Sequence, residues 1–222
     1  NNCPLPEIKV PGGNGISEKI GEYIEQFIEN GSTLQLGIGT IPDAVLKTLK
    51  HKKDLGIHSE MISDGVVELV ESGVINCHKK SYLPGKLVVT FLIGTKKLYD
   101  FVDDNPMIMI APVSFTNNPY VIAKNDQMIS INSALQVDLV GQVASEAINY
   151  MQISGVGGQV DFVRGANLAE NGKSIIAFPS TAKNGAISRI VCGLNAGTFI
   201  TTSRNDVDYI VTEYGVAQLK NK

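Results

Sequence analysis

The sequence predicts an open α/β fold, with a mixed, largely parallel sheet flanked by helices. Residues 15–112 alternate helical and extended patterns repeatedly, the order that yields a parallel sheet joined by crossover helices. The run Leu87-Val-Val-Thr-Phe-Leu-Ile93 is almost continuously apolar, as a strand covered on both faces must be. The 222 residues are 43% hydrophobic and 18% charged, enough for a sizeable buried core. No repeat, low-complexity tract or linker divides them, so residues 1–222 read as a single α/β domain.

Taken in order, Ile16, Ile20, Ile24, Phe27 and Ile28 recur at helical spacing between Ser17, an expected N-cap, and Gly31, an expected stop. Thr33 to Ile38 reads as a strand. Gly39-Thr-Ile-Pro42 turns it into a second helix, with Pro42 expected at the first helical position. A short strand enters Glu60 through Gly56 and Ile57, and Asp64-Gly65 starts a helix to about Ser72. The apolar strand 87–93 follows, then a helix from Gly94-Thr95 to about Asn105, then a strand from Met107 to Pro112. The second half predicts strands over 128–137, 174–178, 187–191, 199–202 and 208–212, interrupted by a helix from Gln159 to Ala169. Asn184-Gly185 is a hairpin signal between two of these strands.

Composition excludes several classes. A net charge of −3 and the lack of any basic run argue against nucleic-acid binding. No apolar stretch is long enough to span a bilayer, and residues 1–15 lack a signal-peptide pattern. Three widely spaced cysteines without a Cys-x-x-Cys fit a reducing compartment, so the expected location is cytoplasmic. Three scattered histidines, and Asp103-Asp104 read as a solvated helix end, leave no metal site in the expectation.

Glu60 is the candidate for chemistry. Most of the eleven glutamates lie in helix-like stretches, where a solvated face explains them. Glu60 instead ends a short strand, and the ends of strands are where open α/β proteins hold reactive groups. The pattern alone also allows a loop glutamate without a role. Two glycine-rich turns, Gln35-Leu-Gly-Ile-Gly39 and Ser154-Gly-Val-Gly-Gly158, each precede a helix. Such turns either serve structure alone or offer backbone N–H groups to a phosphate or an oxyanion. Neither matches a dinucleotide fingerprint or a P-loop. Glu213 in Ile210-Val-Thr-Glu-Tyr-Gly215 repeats the arrangement of Glu60, and is read as functional or as a structural carboxylate. His58 reads as a packed histidine rather than a general base. There is no Gly-x-Ser-x-Gly elbow.

The segments 34–39, 56–65, Ser130-Ile-Asn-Ser133, 155–166, Pro179-Ser-Thr-Ala-Lys183 and 211–215 together resemble the C-terminal half of the acetyl-CoA hydrolase/transferase family. Within it the likeness is to CoA-transferases acting on 4-hydroxybutyrate or on butyryl-CoA and acetate. The resemblance runs from about Pro4 to Lys220 and implies a CoA-transferase-like fold. It implies that Glu60 is a nucleophile passing coenzyme A between a short-chain acyl-CoA (4-hydroxybutyryl-, butyryl- or acetyl-CoA) and an acid such as acetate. The path is ping-pong, through a glutamyl-CoA thioester. It further implies coenzyme A contacts at Gln35, Leu36, Gly37, Ile38, Gly39 and Gly158, with Leu135 added from its spacing and Lys183 toward a phosphate. The Ile41 amide, Gly157 and Gly158 become oxyanion donors, and Asn132 and Glu213 lie near the active site. No tightly bound cofactor is implied, and acyl-CoA is a substrate. Family members are about twice as long and are expected to be homodimers. An N-terminal domain of related fold and a C-terminal tail are absent from these 222 residues. An acyl-CoA hydrolase, or an inactive CoA-binding fragment, remain alternatives on sequence.

Overall fold

The computed structural model describes residues 3–8 and 13–220. A six-stranded sheet forms its centre, in the order Gly215–Gln218, Tyr209–Thr212, Lys173–Ala177, Met128–Asn132, Thr33–Leu36, Gly56–Ile57. Only the Tyr209–Thr212 and Gly215–Gln218 pair is antiparallel; all other neighbours are parallel. A single bridge from His58 to Val88 carries the order onto Leu87–Val89, which pairs in parallel with Ile108–Ile110. The fold is therefore the expected mixed, largely parallel α/β sheet.

Side-chain alternation along the strands divides the core. Ile129, Ile131, Ile175, Ala177 and Val211 pack with Ile20 and Ile24 of helix Gly15–Glu25, Val45 of helix Thr40–Thr48 and Val66 of helix Asp64–Glu71. Ile176 and Ile210, pointing the other way, pack with Phe178 and with Val163 of helix Gln159–Leu168. That helix presents Phe162 and Ala166 to Met128 and Ile122.

Several boundaries differ from expectation, each for a local reason. The first helix is capped by Asn14, not Ser17: the Asn14 side chain accepts the Ser17 N–H at 3.0 Å, and the Ser17 hydroxyl accepts the Asn14 N–H at 3.0 Å. It ends at Glu25 rather than near Gly31. Phe27 and Ile28 bond back only three residues, to Ile24 and Glu25, so the apolar spacing persists through tightened turns. Pro42 is the third residue of its helix, not the first, still in the turn whose N–H groups have no intrahelical partner.

The run 87–93 is two strands. Thr90 and Phe91 both donate to the Glu60 carbonyl, at 2.9 and 3.1 Å, and Phe91–Leu92 then pairs with Met61–Ile62 instead of Ile108–Ile110. The run 128–137 also breaks after Asn132, and Gln136–Asp138 joins a separate small sheet with Val143–Ala144 and Ile190–Val191. Residues 199–202 form no strand; only Thr202 makes a bridge, to Val143. The Asn184-Gly185 hairpin is present, pairing Thr181 with Ser188. Two short helices, Val113–Thr116 and Pro119–Ile122, and a hairpin over 147–152 carry no clear sequence signal. Among the described residues no helix is long and apolar enough to cross a membrane.

Candidate active site

All five parallel strands of the central sheet release their chains at one edge, the carboxyl edge, where open α/β sheets bind ligands. Thr33–Leu36 delivers Gly37 to Gly39, Gly56–Ile57 delivers Glu60, and Met128–Asn132 delivers Asn132. Lys173–Ala177 delivers the loop to Ser180, and Tyr209–Thr212 delivers Glu213.

Glu60 is held on both sides. Its carbonyl takes the Thr90 and Phe91 N–H groups. Its Oε2 accepts the Gly158 N–H at 3.0 Å. Gly158 is the N-cap of the ten-residue helix Gln159–Leu168, so the carboxylate faces the positive end of a helix dipole. A Cβ there would lie 2.5 Å from Glu60 Oε2 and 2.6 Å from Asn117 Nδ2, so those side chains would have to move. Gly157 has φ +60, the left-handed conformation that turns the loop into the helix. In the first turn of that helix, burial pushes the Asp161 carboxyl above its ordinary range; Arg164 opposes the shift, and the negative charge of Glu60 adds to it.

Asn117 is the functional candidate that the sequence did not disclose. It is buried, and its side-chain amide crowds the same point beside Gly158 as the Glu60 carboxylate does. Asn118 caps Pro119–Ile122, its side chain accepting the Tyr120 N–H.

Residues behind Glu60 fix its surroundings. Ser59 Oγ donates to the Leu36 carbonyl at 3.0 Å, tying the Glu60 segment to the first glycine turn. His58 Nε2 meets the Thr116 carbonyl at 2.9 Å, tying it to the residue before Asn117. Burial pulls the His58 pKa down to about 4; the Thr116 bond opposes the shift and the Lys80 charge adds to it. The ring is therefore neutral near pH 7, with Nε2 as donor, a packed histidine as expected. Its native pKa lies below the ordinary 6.5. The unfolded chain thus takes up the proton first as pH falls, and His58 destabilises the fold progressively from pH 6.5 down to about 4. The full effect is about 3 kcal/mol. In thermal unfolding at pH 7.5 and 4.5, His58→Gln should lose less of its midpoint on acidification than wild type; equal losses would refute this.

The other sequence candidates take definite places. Gln35 is buried, and its side chain pairs with that of Asn132 across adjacent strands. Gln35 Nε2 donates to Asn132 Oδ1 at 3.3 Å, and Asn132 Nδ2 donates to Gln35 Oε1 at 3.1 Å. Ser130 Oγ closes the group by donating to Gln35 Oε1 at 2.8 Å. Leu36 is buried, Ile38 is exposed, and Gly39 has φ +123. The Ile41 amide belongs to the first turn of Thr40–Thr48. The Leu135 main chain is engaged at both ends, by the Ala144 carbonyl and by Arg189 Nε. Lys183 is exposed in the hairpin turn. Both oxygens of Glu213 accept from Ser180, Oε2 from its N–H at 2.8 Å and Oε1 from its hydroxyl at 2.6 Å. Burial pushes the Glu213 carboxyl up, but the Ser180 bonds, a main-chain bond and the Lys19 charge together hold the pKa below its ordinary value. Glu213 thus ties two neighbouring strand ends together.

Residues 94–222 match the acetyl-CoA hydrolase/transferase C-terminal domain. The chain belongs to the acetyl-CoA hydrolase/transferase family. It is 64% identical over 219 residues to the 4-hydroxybutyrate coenzyme A transferase of Clostridium kluyveri, an alignment covering 99% of this chain and 51% of that protein. The solved structure of a 4-hydroxybutyrate CoA-transferase from Porphyromonas gingivalis superposes with a TM-score of 0.87 at 50% identity, covering 99% of this chain and 51% of the other. The acetyl-CoA hydrolase of Yarrowia lipolytica is more distant, 29% identical over 99% of this chain and 41% of that protein. The chain spans about half the length of the curated relatives it matches. It is more similar to the two CoA-transferases than to that hydrolase.

Proposed function

We propose that the protein moves coenzyme A between a short-chain acyl-CoA, of the 4-hydroxybutyryl, butyryl or acetyl type, and a carboxylate such as acetate, with Glu60 as the nucleophile. The observation that carries this reading is the 3.0 Å bond from the Gly158 N–H to Glu60 Oε2 at a helix N-terminus. A carboxylate is ionised near pH 7 and needs no general base. A free-enzyme donor on Oε2 remains next to that oxygen when the glutamyl carbon is itself attacked.

In this mechanism a Glu60 oxygen attacks the acyl carbon of the thioester. The C–S bond breaks, releasing CoA thiolate and leaving a mixed anhydride. The thiolate attacks the glutamyl carbon, forms a glutamyl-CoA thioester and expels the first acid as its carboxylate. The second carboxylate attacks that thioester, and the same two steps in reverse give the new acyl-CoA and free Glu60. Each addition places negative charge on a carbonyl oxygen, and one well-placed donor there is worth roughly 3–4 kcal/mol. On glutamyl addition the Gly158 N–H is that donor, with the Asn117 amide beside it. On acyl addition the candidates are Ile41 and Gly157.

Asn132 and Glu213 take positioning roles in this reading, since their side chains are engaged with Gln35 and Ser180. The first glycine turn, Leu135 and Lys183 seat coenzyme A. The anhydride must be kept from water, and we assign that shielding to the remaining half of the length seen in the relatives, this chain being the C-terminal catalytic half.

The test uses the full-length protein incubated with acyl-CoA and then borohydride. Reduction of a Glu60 thioester, located by peptide mapping, is expected; continued turnover with Glu60 unmodified would sink the assignment. Turnover measured with and without acetate separates transfer from hydrolysis, and transfer requires the acceptor.

A further inference from the structure

Lys80 is 4% exposed, yet both acceptors of its ammonium are main-chain carbonyls. Nζ donates to the Ile57 carbonyl at 3.0 Å and to the Lys86 carbonyl at 2.7 Å. Ile57 ends the strand that leads to Glu60, and Lys86 precedes the strand Leu87–Val89 that leads to Thr90. Among the described residues these two strands are joined by the His58–Val88 bridge, with the Ser59 N–H donating to the Val88 carbonyl at 3.0 Å. The ammonium thus joins the two strands beside that bridge. The chain just beyond each strand holds Glu60: one segment carries it, and the other supplies the Thr90 and Phe91 N–H groups to its carbonyl.

The surroundings are shaped for this side chain. The Gly85 N–H bonds the Cys77 carbonyl at 2.8 Å and closes the loop from which Lys80 projects inward. Its stem crosses Gly56 so closely that a Cβ there would lie 2.4 Å from Lys80 Cγ. Burial pulls the ammonium down to about 8, with the neighbouring Cys77 opposing the shift, so it is still largely protonated near pH 7. A buried charge is costly to retain for stability alone, and an apolar residue of similar volume often serves a fold as well.

We propose that Lys80 is a positioning residue for catalysis, fixing the Glu60 main chain by clamping the two strands whose continuations hold it. This rests on Glu60 being the nucleophile. Lys80 touches no reacting atom. Its loss should therefore slow the steps at Glu60 while leaving acyl-CoA binding nearly intact.

The test compares full-length wild type, Lys80→Met and Lys80→Gln. Met keeps the stem and removes the donor; Gln keeps a shorter donor. Rates are normalised to the folded fraction measured by thermal unfolding and near-UV circular dichroism, so that loss of folded protein does not count. Lys80→Met should lower kcat about 10- to 100-fold, with KM for acyl-CoA within about twofold, and Lys80→Gln should fall between it and wild type. Should one variant fail to fold, the other decides. A normalised kcat equal to that of wild type in the folded variants overturns the role of Lys80, as does a loss confined to KM. Absence of a Glu60 thioester in wild type overturns the nucleophile reading instead.

Discussion

Glu60→Gln should abolish transfer, lowering kcat by about 10⁴-fold or more, because a carboxamide oxygen cannot form the anhydride. The substitution is well suited to the geometry. A glutamine oxygen still accepts the Gly158 N–H now bound to Glu60 Oε2 at 3.0 Å, so the fold and the thermal midpoint should be preserved. Loss of turnover with an unchanged midpoint then isolates chemistry from folding. Glu60→Asp keeps the carboxylate but withdraws it by one carbon–carbon bond from both Gly158 and the acyl carbon. A displacement of that size should cost about 10²-fold in kcat. If Glu60→Gln retains more than about a hundredth of wild-type kcat, the carboxylate is not the nucleophile.

Gly158→Ala should also remove most activity, by about 10²-fold or more in kcat. The backbone there has φ −89 and ψ 4, which alanine adopts without strain. The added methyl is the whole perturbation, and it falls 2.5 Å from Glu60 Oε2, 2.6 Å from Asn117 Nδ2 and 3.3 Å from Phe162 Cδ2. The carboxylate and the amide must both move away from the helix terminus. The expected signature is a large fall in kcat, a thermal midpoint close to wild type and a reduced yield of trapped Glu60 thioester. Wild-type kcat in a folded Gly158→Ala protein would mean that the contact is not part of catalysis.

These two residues were legible in the sequence because each is marked locally. Glu60 follows the strand-like Gly56-Ile57 and precedes the Asp64-Gly65 turn, and Gly158 sits in a glycine run just before a helix. The α/β class was equally visible in the alternation of patterns through residue 112. What stayed hidden depends on partners far along the chain. Asn117 comes beside the Glu60 carboxylate across a long sequence separation, with His58 holding the neighbouring Thr116 carbonyl. Glu213 looks like Glu60 in sequence, and only the Ser180 bonds distinguish them. The Gln35–Asn132 amide pair depends on which strands become neighbours, and a parallel sheet does not announce that order. The split of the 87–93 run had the same cause, since an apolar stretch does not record that one carbonyl, of Glu60, takes two successive N–H groups.

The bonds that build the carboxyl edge join distant positions: 98 residues separate Gly158 from Glu60, 97 separate Asn132 from Gln35, and 33 separate Glu213 from Ser180. Closing such long loops is entropically unfavourable and comes late when a parallel sheet assembles. Helices such as Gly15–Glu25 can form early from local contacts, but a chain in that condition lacks the amide that faces Glu60. The contact between Gly158 and Glu60 is therefore among the last features to appear during folding.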